Sequence, residues 1–140
     1  MPTYLLDTSI IIDILNGKKE RDELLRNLLQ QGHLLSCCSI NVSEVYAGMH
    51  DKEAGRTERF LRDLEFFKIG WEVARDAGLL KRDYSRKGRQ LSLTDTTIAA
   101  VCLANGLTLI TDNIKDFPMP ELKLYPLAGT DRNAQASSGQ

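Results

Sequence analysis

The stretch Thr3-Tyr4-Leu5-Leu6-Asp7-Thr8-Ser9-Ile10-Ile11-Ile12-Asp13-Ile14-Leu15 decides the architecture. A compact apolar run stops at an acidic residue. From Ser9 onward the apolar residues Ile10, Ile11, Ile12, Ile14 and Leu15 follow in helical order until Asn16-Gly17 ends them. This predicts a short buried strand with Asp7 at its carboxyl end, and then a helix.

Working outward, residues 20–31 read as a second helix and Leu34-Leu35-Ser36-Cys37-Cys38-Ser39-Ile40 as a second buried strand. Asn41-Val42-Ser43-Glu44 has the N-x-x-E spacing of a capping box, which predicts Glu44 in the first turn of a helix. Residues 53–67, with Phe60, Leu61, Leu64 and Phe67 on one face, and residues 71–86, with Val73, Ala77, Leu80 and Tyr84, read as amphipathic helices. Thr94 or Asp95 can cap a further helix that ends at Asn105-Gly106. Leu107-Thr108-Leu109-Ile110 and Leu122-Lys123-Leu124-Tyr125 are the last strands. Strands alternating with helices predict an α/β fold with a central, mainly parallel sheet covered on both faces, whose ligands bind outside the strands' carboxyl ends. One domain is expected over residues 1–128, followed by a polar, disordered tail over 129–140.

Composition narrows the function. With 140 residues, 42% hydrophobic and 26% charged, the chain has the means to build one real core. A net charge of −1 cannot hold a polyanion by itself, so any nucleic-acid binding must rest on a local patch. The cysteines Cys37, Cys38 and Cys102 fit neither a disulfide framework nor a zinc site and are expected to be core thiols. No apolar run approaches the roughly 18 residues of a membrane span and Met1-Pro2-Thr3-Tyr4 lacks the features of a signal peptide, so a cytoplasmic protein is expected.

The chemistry lies in acids. Asp7 follows a strand, Glu44 and Asp95 begin helices, and the 112–116 segment follows a strand, so four acidic groups distant in sequence can share one edge of the sheet. Taken singly, Glu44 and Asp95 can be explained as helix caps; an acid directly after a fully apolar strand needs a partner or a metal. Crowded carboxylates without Lys or Arg favour a hard divalent cation, and oxygen-only ligation suits Mg²⁺ or Mn²⁺, one or two ions. Such an ion activates water without a histidine, and His33 and His50 sit in polar connections where they are expected to be solvated. No Ser/His or Cys/His pair, Walker loop or G-x-G-x-x-G is evident.

Three blocks, YLLDTSIIIDIL, SINVSEVYAGM and LSLTDTTIAAVCLANGLTLITDNIKDF, resemble in order the motifs of the PIN-domain family, and in particular the VapC-type toxins of bacterial toxin-antitoxin pairs. The resemblance runs to about Leu127. It implies a three-layer α/β/α fold and a Mg²⁺- or Mn²⁺-dependent endoribonuclease that leaves 5′-phosphate and 3′-hydroxyl ends. It also implies a cognate VapB-like antitoxin and a homodimer. Asp7, Glu44 and Asp95 match the family's acidic positions, Asp7 and Asp95 as direct ligands and Glu44 directly or through water, with Ser9 beside the site. The fourth position departs from the simplest pattern. Thr111-Asp112-Asn113-Ile114-Lys115-Asp116-Phe117 follows the T-x-N-x-x-D-F version, which makes Asp116 the expected ligand, with Thr111, Asp112 and Asn113 lining the site.

The basic cluster Lys81, Arg82, Arg86, Lys87 and Arg89 can contact RNA phosphates, or be an ordinary solvated helix end. Phe60, Phe66, Phe67, Trp71 and Tyr84 are expected mainly in the core, with some of them, and the apolar face of the early helices, open to an antitoxin helix or a second subunit. The alternative from another class is a non-catalytic PIN-fold module that binds RNA or protein. A phosphatase of the haloacid-dehalogenase type is disfavoured because Ser9 stands where its second aspartate would be. A phosphoreceiver is disfavoured because its only late lysine candidate is Lys115.

Overall fold

Leu5 and Leu6 are neighbours in sequence, fully buried, and members of two different apolar cores. Side chains alternate across a strand, so such a pair requires a sheet covered on both faces. Cys37 with Cys38 and Leu109 with Ile110 divide in the same way.

The computed structural model describes residues 2–127, so the expected tail over 129–140 lies outside the described residues. The elements run β1 (Thr3–Leu6), α1 (Thr8–Leu15), α2 (Lys19–Gln30), β2 (Leu34–Cys38), α3 (Ser39–Gly48), α4 (Ala54–Asp63), β3 (Glu65–Phe67), α5 (Trp71–Arg86), α6 (Leu93–Asn105), β4 (Thr108–Ile110) and β5 (Lys123–Leu124). The sheet order is β3-β2-β1-β4-β5 and every pair is parallel. Helices α1 to α4 supply Ile10, Ile11, Leu15, Leu28, Val45 and Leu61 to one core. On the other face α6 supplies Ile98, Ala99, Val101 and Cys102, with Val73, Leu80 and Tyr84 of α5 packed against them. The result is the expected three-layer α/β/α architecture.

This order places the site. The chain proceeds outward from β1 to β2 and β3, then returns to lay β4 and β5 on the other side of β1. Connections leaving β1 and β4 therefore diverge, and a crevice opens beyond their carboxyl ends, where ligands of open parallel sheets bind. Register fixes the meeting point: Leu6 pairs with Ile110, and the Asp7 backbone N–H donates to the Ile110 carbonyl at 2.9 Å. Asp7 and Thr111 thus emerge side by side.

Four local expectations are corrected. The helix over 53–67 ends at Asp63, and Glu65–Phe67 instead forms the edge strand β3, pairing with Ser36, Cys37 and Cys38. Its three residues are too few to carry a strand pattern. Helix α3 begins at Ser39, because Asn41 reaches back to cap the Cys38 backbone N–H at 2.8 Å, so Glu44 lies in the second turn. Phe66 and Trp71 are exposed at 56% and 75%, outside the core where they were expected. His33, expected in solvent, packs edge-on against Tyr4 with ring centroids 5.1 Å apart, while His50 is exposed. The cysteines are buried free thiols, and burial pushes Cys37 up to about 11, so it remains a protonated core group. Among the described residues no helix is long and apolar enough to cross a membrane.

Candidate active site

Asp7 is the residue at which β1 becomes α1. Its extended backbone lets the chain turn into the helix while the carboxylate accepts the Thr8 backbone N–H at 2.9 Å. Its other oxygen accepts the Thr111 hydroxyl at 2.6 Å, and that hydroxyl in turn accepts the Asn113 backbone N–H at 3.0 Å. These bonds hold an acid that is only 5% exposed. Burial pushes its carboxyl above the usual carboxylate range, the Thr111 and Thr8 donors pull it back, and the charges of Asp95 and Glu44 push it up again.

Glu44 arrives from α3, half-buried, and accepts the Thr8 hydroxyl at 2.6 Å. Asp95 arrives from the first turn of α6. That helix is capped by Ser92, not by Thr94 or Asp95, and the Ser92 hydroxyl accepts the Asp95 backbone N–H at 3.1 Å. Partial burial raises the Asp95 carboxyl, the Ser92 side chain lowers it, and the charges of Asp116 and Glu44 raise it further. Asp116 sits in a short 3-10 turn, Ile114–Asp116, after β4. Asp7, Glu44, Asp95 and Asp116 are therefore linked by one another's charges, at the sheet edge where sequence position put Asp7, Glu44, Asp95 and the 112–116 segment.

The flanking residues separate. Ser9 Oγ is buried with no hydrogen-bond partner among the described residues. Asn113 is exposed and contributes its backbone to Thr111. Asp112 turns away, bonded to Arg21 of α2, whose Nε also lies 3.5 Å from Asp13. Of the two acids in this loop, Asp116 is the one whose charge acts on Asp95. Among the described residues none of Asp7, Glu44, Asp95 and Asp116 has an Arg or Lys partner within ion-pair distance, although seven such pairs exist elsewhere.

The donor set fits a hard divalent cation: carboxylate oxygens, an orphaned hydroxyl, no sulfur or imidazole, and excess negative charge. Among the described residues no three acidic, His or Cys side chains stand at ligand spacing. Like charges repel, and here Asp7 and Glu44 turn one oxygen each toward the hydroxyls of Thr111 and Thr8. Sequence reasoning missed Thr8 as the link between two acids, although a hydroxyl residue directly after Asp7 was a usable signal. It also missed Arg21, for which no local pattern exists, because its partners come from α1 and the β4 loop.

A parallel α/β/α sheet with acids gathered at the carboxyl edge defines a class, and comparison with known proteins identifies it. The PIN-domain family matches residues 4–118, and the chain belongs to that family. Within it the similarity is to VapC proteins. Ribonuclease VapC19 of Mycobacterium tuberculosis (strain H37Rv) is 30% identical over 120 residues, spanning 85% of this chain and 96% of that protein. Ribonuclease VapC2 of Haemophilus influenzae (strain Rd) is 30% identical over 122 residues, spanning 84% and 91%. Among solved structures, VapBC2 from Rickettsia felis bound to a DNA fragment from its promoter superposes with a TM-score of 0.75 and 27% identity, covering 88% of this chain and 97% of that one.

Proposed function

We propose that this protein is a divalent-metal-dependent endoribonuclease and the toxin of a type II toxin-antitoxin pair. The observation that carries the reading is the cluster of four carboxylates without an Arg or Lys partner among the described residues, in a PIN-domain chain whose relatives are VapC ribonucleases. Asp7, Asp95 and Asp116 would hold Mg²⁺ or Mn²⁺, as one or two ions, with Ser9 Oγ alongside. When bound, the ion supplies positive charge to the phosphodiester and acidity to water.

The chain's own residues do the rest. Glu44, anchored through one oxygen to Thr8, keeps its remaining acceptor capacity for the attacking water, which it orients or deprotonates. Attack in line on phosphorus leaves 5′-phosphate and 3′-hydroxyl ends. Thr111 and the Thr8 backbone keep Asp7 in place. Arg89 donates to the Lys115 carbonyl, which ties the basic loop after α5 to the turn carrying Asp116. Arg86 and Lys87 are exposed beside it, and Arg82, paired with Asp83 at 3.3 Å, completes the cluster. This is the local positive patch that RNA phosphates require of an otherwise acidic protein.

A cognate VapB-like antitoxin is proposed as the partner, supported by the VapBC complex among the structural relatives. An apolar groove of 380 Å³ lined by Val42, Tyr46, Leu61, Leu64 and Phe66 gives the early helices a surface for it. A homodimer in the cytoplasm completes the proposal. Each acidic position carries its acid, so nothing favours a non-catalytic module. The test is incubation of purified protein with single-stranded and hairpin RNAs, with and without Mg²⁺ or Mn²⁺. Ion-dependent cleavage with 5′-phosphate ends is expected; cleavage that survives both chelation and Asp7→Asn overturns the mechanism.

A further inference from the structure

Asn41 is fully buried, and a buried side-chain amide is costly unless both its ends are bonded. Its oxygen accepts the Cys38 backbone N–H at 2.8 Å and the Cys38 thiol at 3.2 Å. Its nitrogen lies 3.0 Å from Thr8 Oγ1. A backbone N–H can only donate, so the atom facing Cys38 must be the oxygen, which fixes the amide orientation. The nitrogen, which can only donate, then faces Thr8.

The direction propagates. Thr8 Oγ1 must accept from Asn41, and its single proton is left for Glu44 Oε1 at 2.6 Å, a distance characteristic of a hydroxyl donating to a carboxylate. A helix cap needs only an acceptor, which aspartate supplies equally well at this position in the first turn. The donor end of Asn41 is unnecessary for the cap. It serves the threonine.

We propose that Asn41 is a positioning residue for the reaction: through Thr8 it orients the hydroxyl that holds Glu44 in the pocket, with one carboxylate oxygen engaged and the other free. The inference rests on the ribonuclease reading of Glu44. It also explains why a cap lies under the site at all, since the same amide joins the start of α3 to the start of α1. Two elements that each carry an acid are thereby locked to one another by a single buried side chain.

The substitution Asn41→Asp keeps the acceptor for the Cys38 N–H, replaces the donor by a second acceptor and adds a negative charge, so the Thr8 proton turns to the new carboxylate and leaves Glu44. Thr8→Val removes the hydroxyl without adding charge, and Thr8→Ser restores it. The expected result for Asn41→Asp and for Thr8→Val is a kcat reduced by about 10- to 100-fold, the range for losing a group that orients a reacting residue. KM for RNA should change by less than about twofold, because binding groups are untouched. Thr8→Ser should recover most of kcat. The double variant should be no worse than the worse single one, since the two act in one chain.

A readout independent of cleavage is the Asn41 side-chain amide in the NMR spectrum of the metal-free protein. One of its protons should be shielded from solvent exchange, and that protection should vanish in Thr8→Val and persist in Thr8→Ser. Wild-type kcat in folded Asn41→Asp, multiplying effects in the double variant, or an unprotected amide in the wild type overturns the proposal. If Asn41→Asp fails to fold, Thr8→Val and the amide-exchange comparison with Thr8→Ser carry the same decision. Wild-type protein that cleaves no RNA but keeps the protected amide overturns the ribonuclease reading and leaves the bonded chain to Glu44 standing.

Discussion

Asp7 and Asp13 lie at opposite ends of α1, and Asp112 and Asp116 lie at opposite ends of one loop, yet one member of each pair has a guanidinium and the other has none. Asp13 and Asp112 converge on Arg21, which is 17% exposed, and Lys18 adds a contact to Asp13 at 3.1 Å. Asp7 feels the charges of Asp95 and Glu44, and Asp95 that of Asp116, with no Arg or Lys paired to any of them among the described residues. Chemically identical groups, nearly adjacent along the chain, thus serve different ends. The paired acids tie α1, α2 and the β4 loop together; the unpaired ones leave a negative cluster whose charge is relieved by a bound proton or an added cation.

The largest expected effect breaks the unpaired set. Asp7→Asn or Asp95→Asn should lower RNA cleavage on the order of 10²-fold or more, the scale for removing a group that stabilises charge in the transition state. Initial rates at saturating Mg²⁺ check this. Arg21→Met tests the paired set. It leaves Asp13 and Asp112 without their guanidinium and should destabilise the fold by about 1–3 kcal/mol in urea unfolding, between the values for exposed and buried pairs. Cleavage per folded molecule should change little. A loss of rate as large as that of Asp95→Asn would erase the distinction between the two sets.

A third consequence concerns pH. The folded carboxyl of Asp7 titrates above its unfolded value of about 4. The native metal-free protein therefore keeps this proton where the unfolded chain has released it. That contribution is full below the unfolded pKa, is lost as pH rises through the raised folded one, and stays lost above it. Asp7→Asn should remove the Asp7 share of this dependence, leaving that of Asp95, and raise the urea midpoint at pH 7, so that the variant is more stable and inactive at once. The smallest effect is on the patch. Arg86→Ala and Lys87→Ala should each reduce the slope of log RNA affinity against log salt by about 0.7, the contribution of one phosphate contact to a single strand.

Legibility in the sequence followed length and locality. β1, α1, α5 and α6 were readable because apolar runs and helical spacing persist there, and Asn105-Gly106 marks a left-handed stop, with Gly106 at φ 64°. β3 was not, because three residues pairing with Ser36, Cys37 and Cys38 owe their state to the neighbouring strand and not to their own pattern. Asp7, Glu44, Asp95 and the 112–116 segment could be gathered in advance, since strand ends and helix starts of a parallel sheet meet at one edge; Asp116 within that segment came from the resemblance to the T-x-N-x-x-D-F pattern. What could not be read was which bonds hold them. Asn41 looked like the first residue of a cap and proved to be the residue reaching back to it. Asp112 reads as the spare acid of its loop, and its carboxylate is bonded to Arg21, a partner that no local pattern announces.

The most direct measurement is Mn²⁺ binding followed by electron paramagnetic resonance in wild-type protein and in Asp7→Asn, Asp116→Asn and Asp112→Asn. The account predicts that Asp7→Asn weakens binding by at least about tenfold, equivalent to about 1.4 kcal/mol. It also predicts that Asp116→Asn loses more than Asp112→Asn, which stays close to wild type. Undiminished binding in Asp7→Asn, or a larger loss at Asp112 than at Asp116, would contradict it.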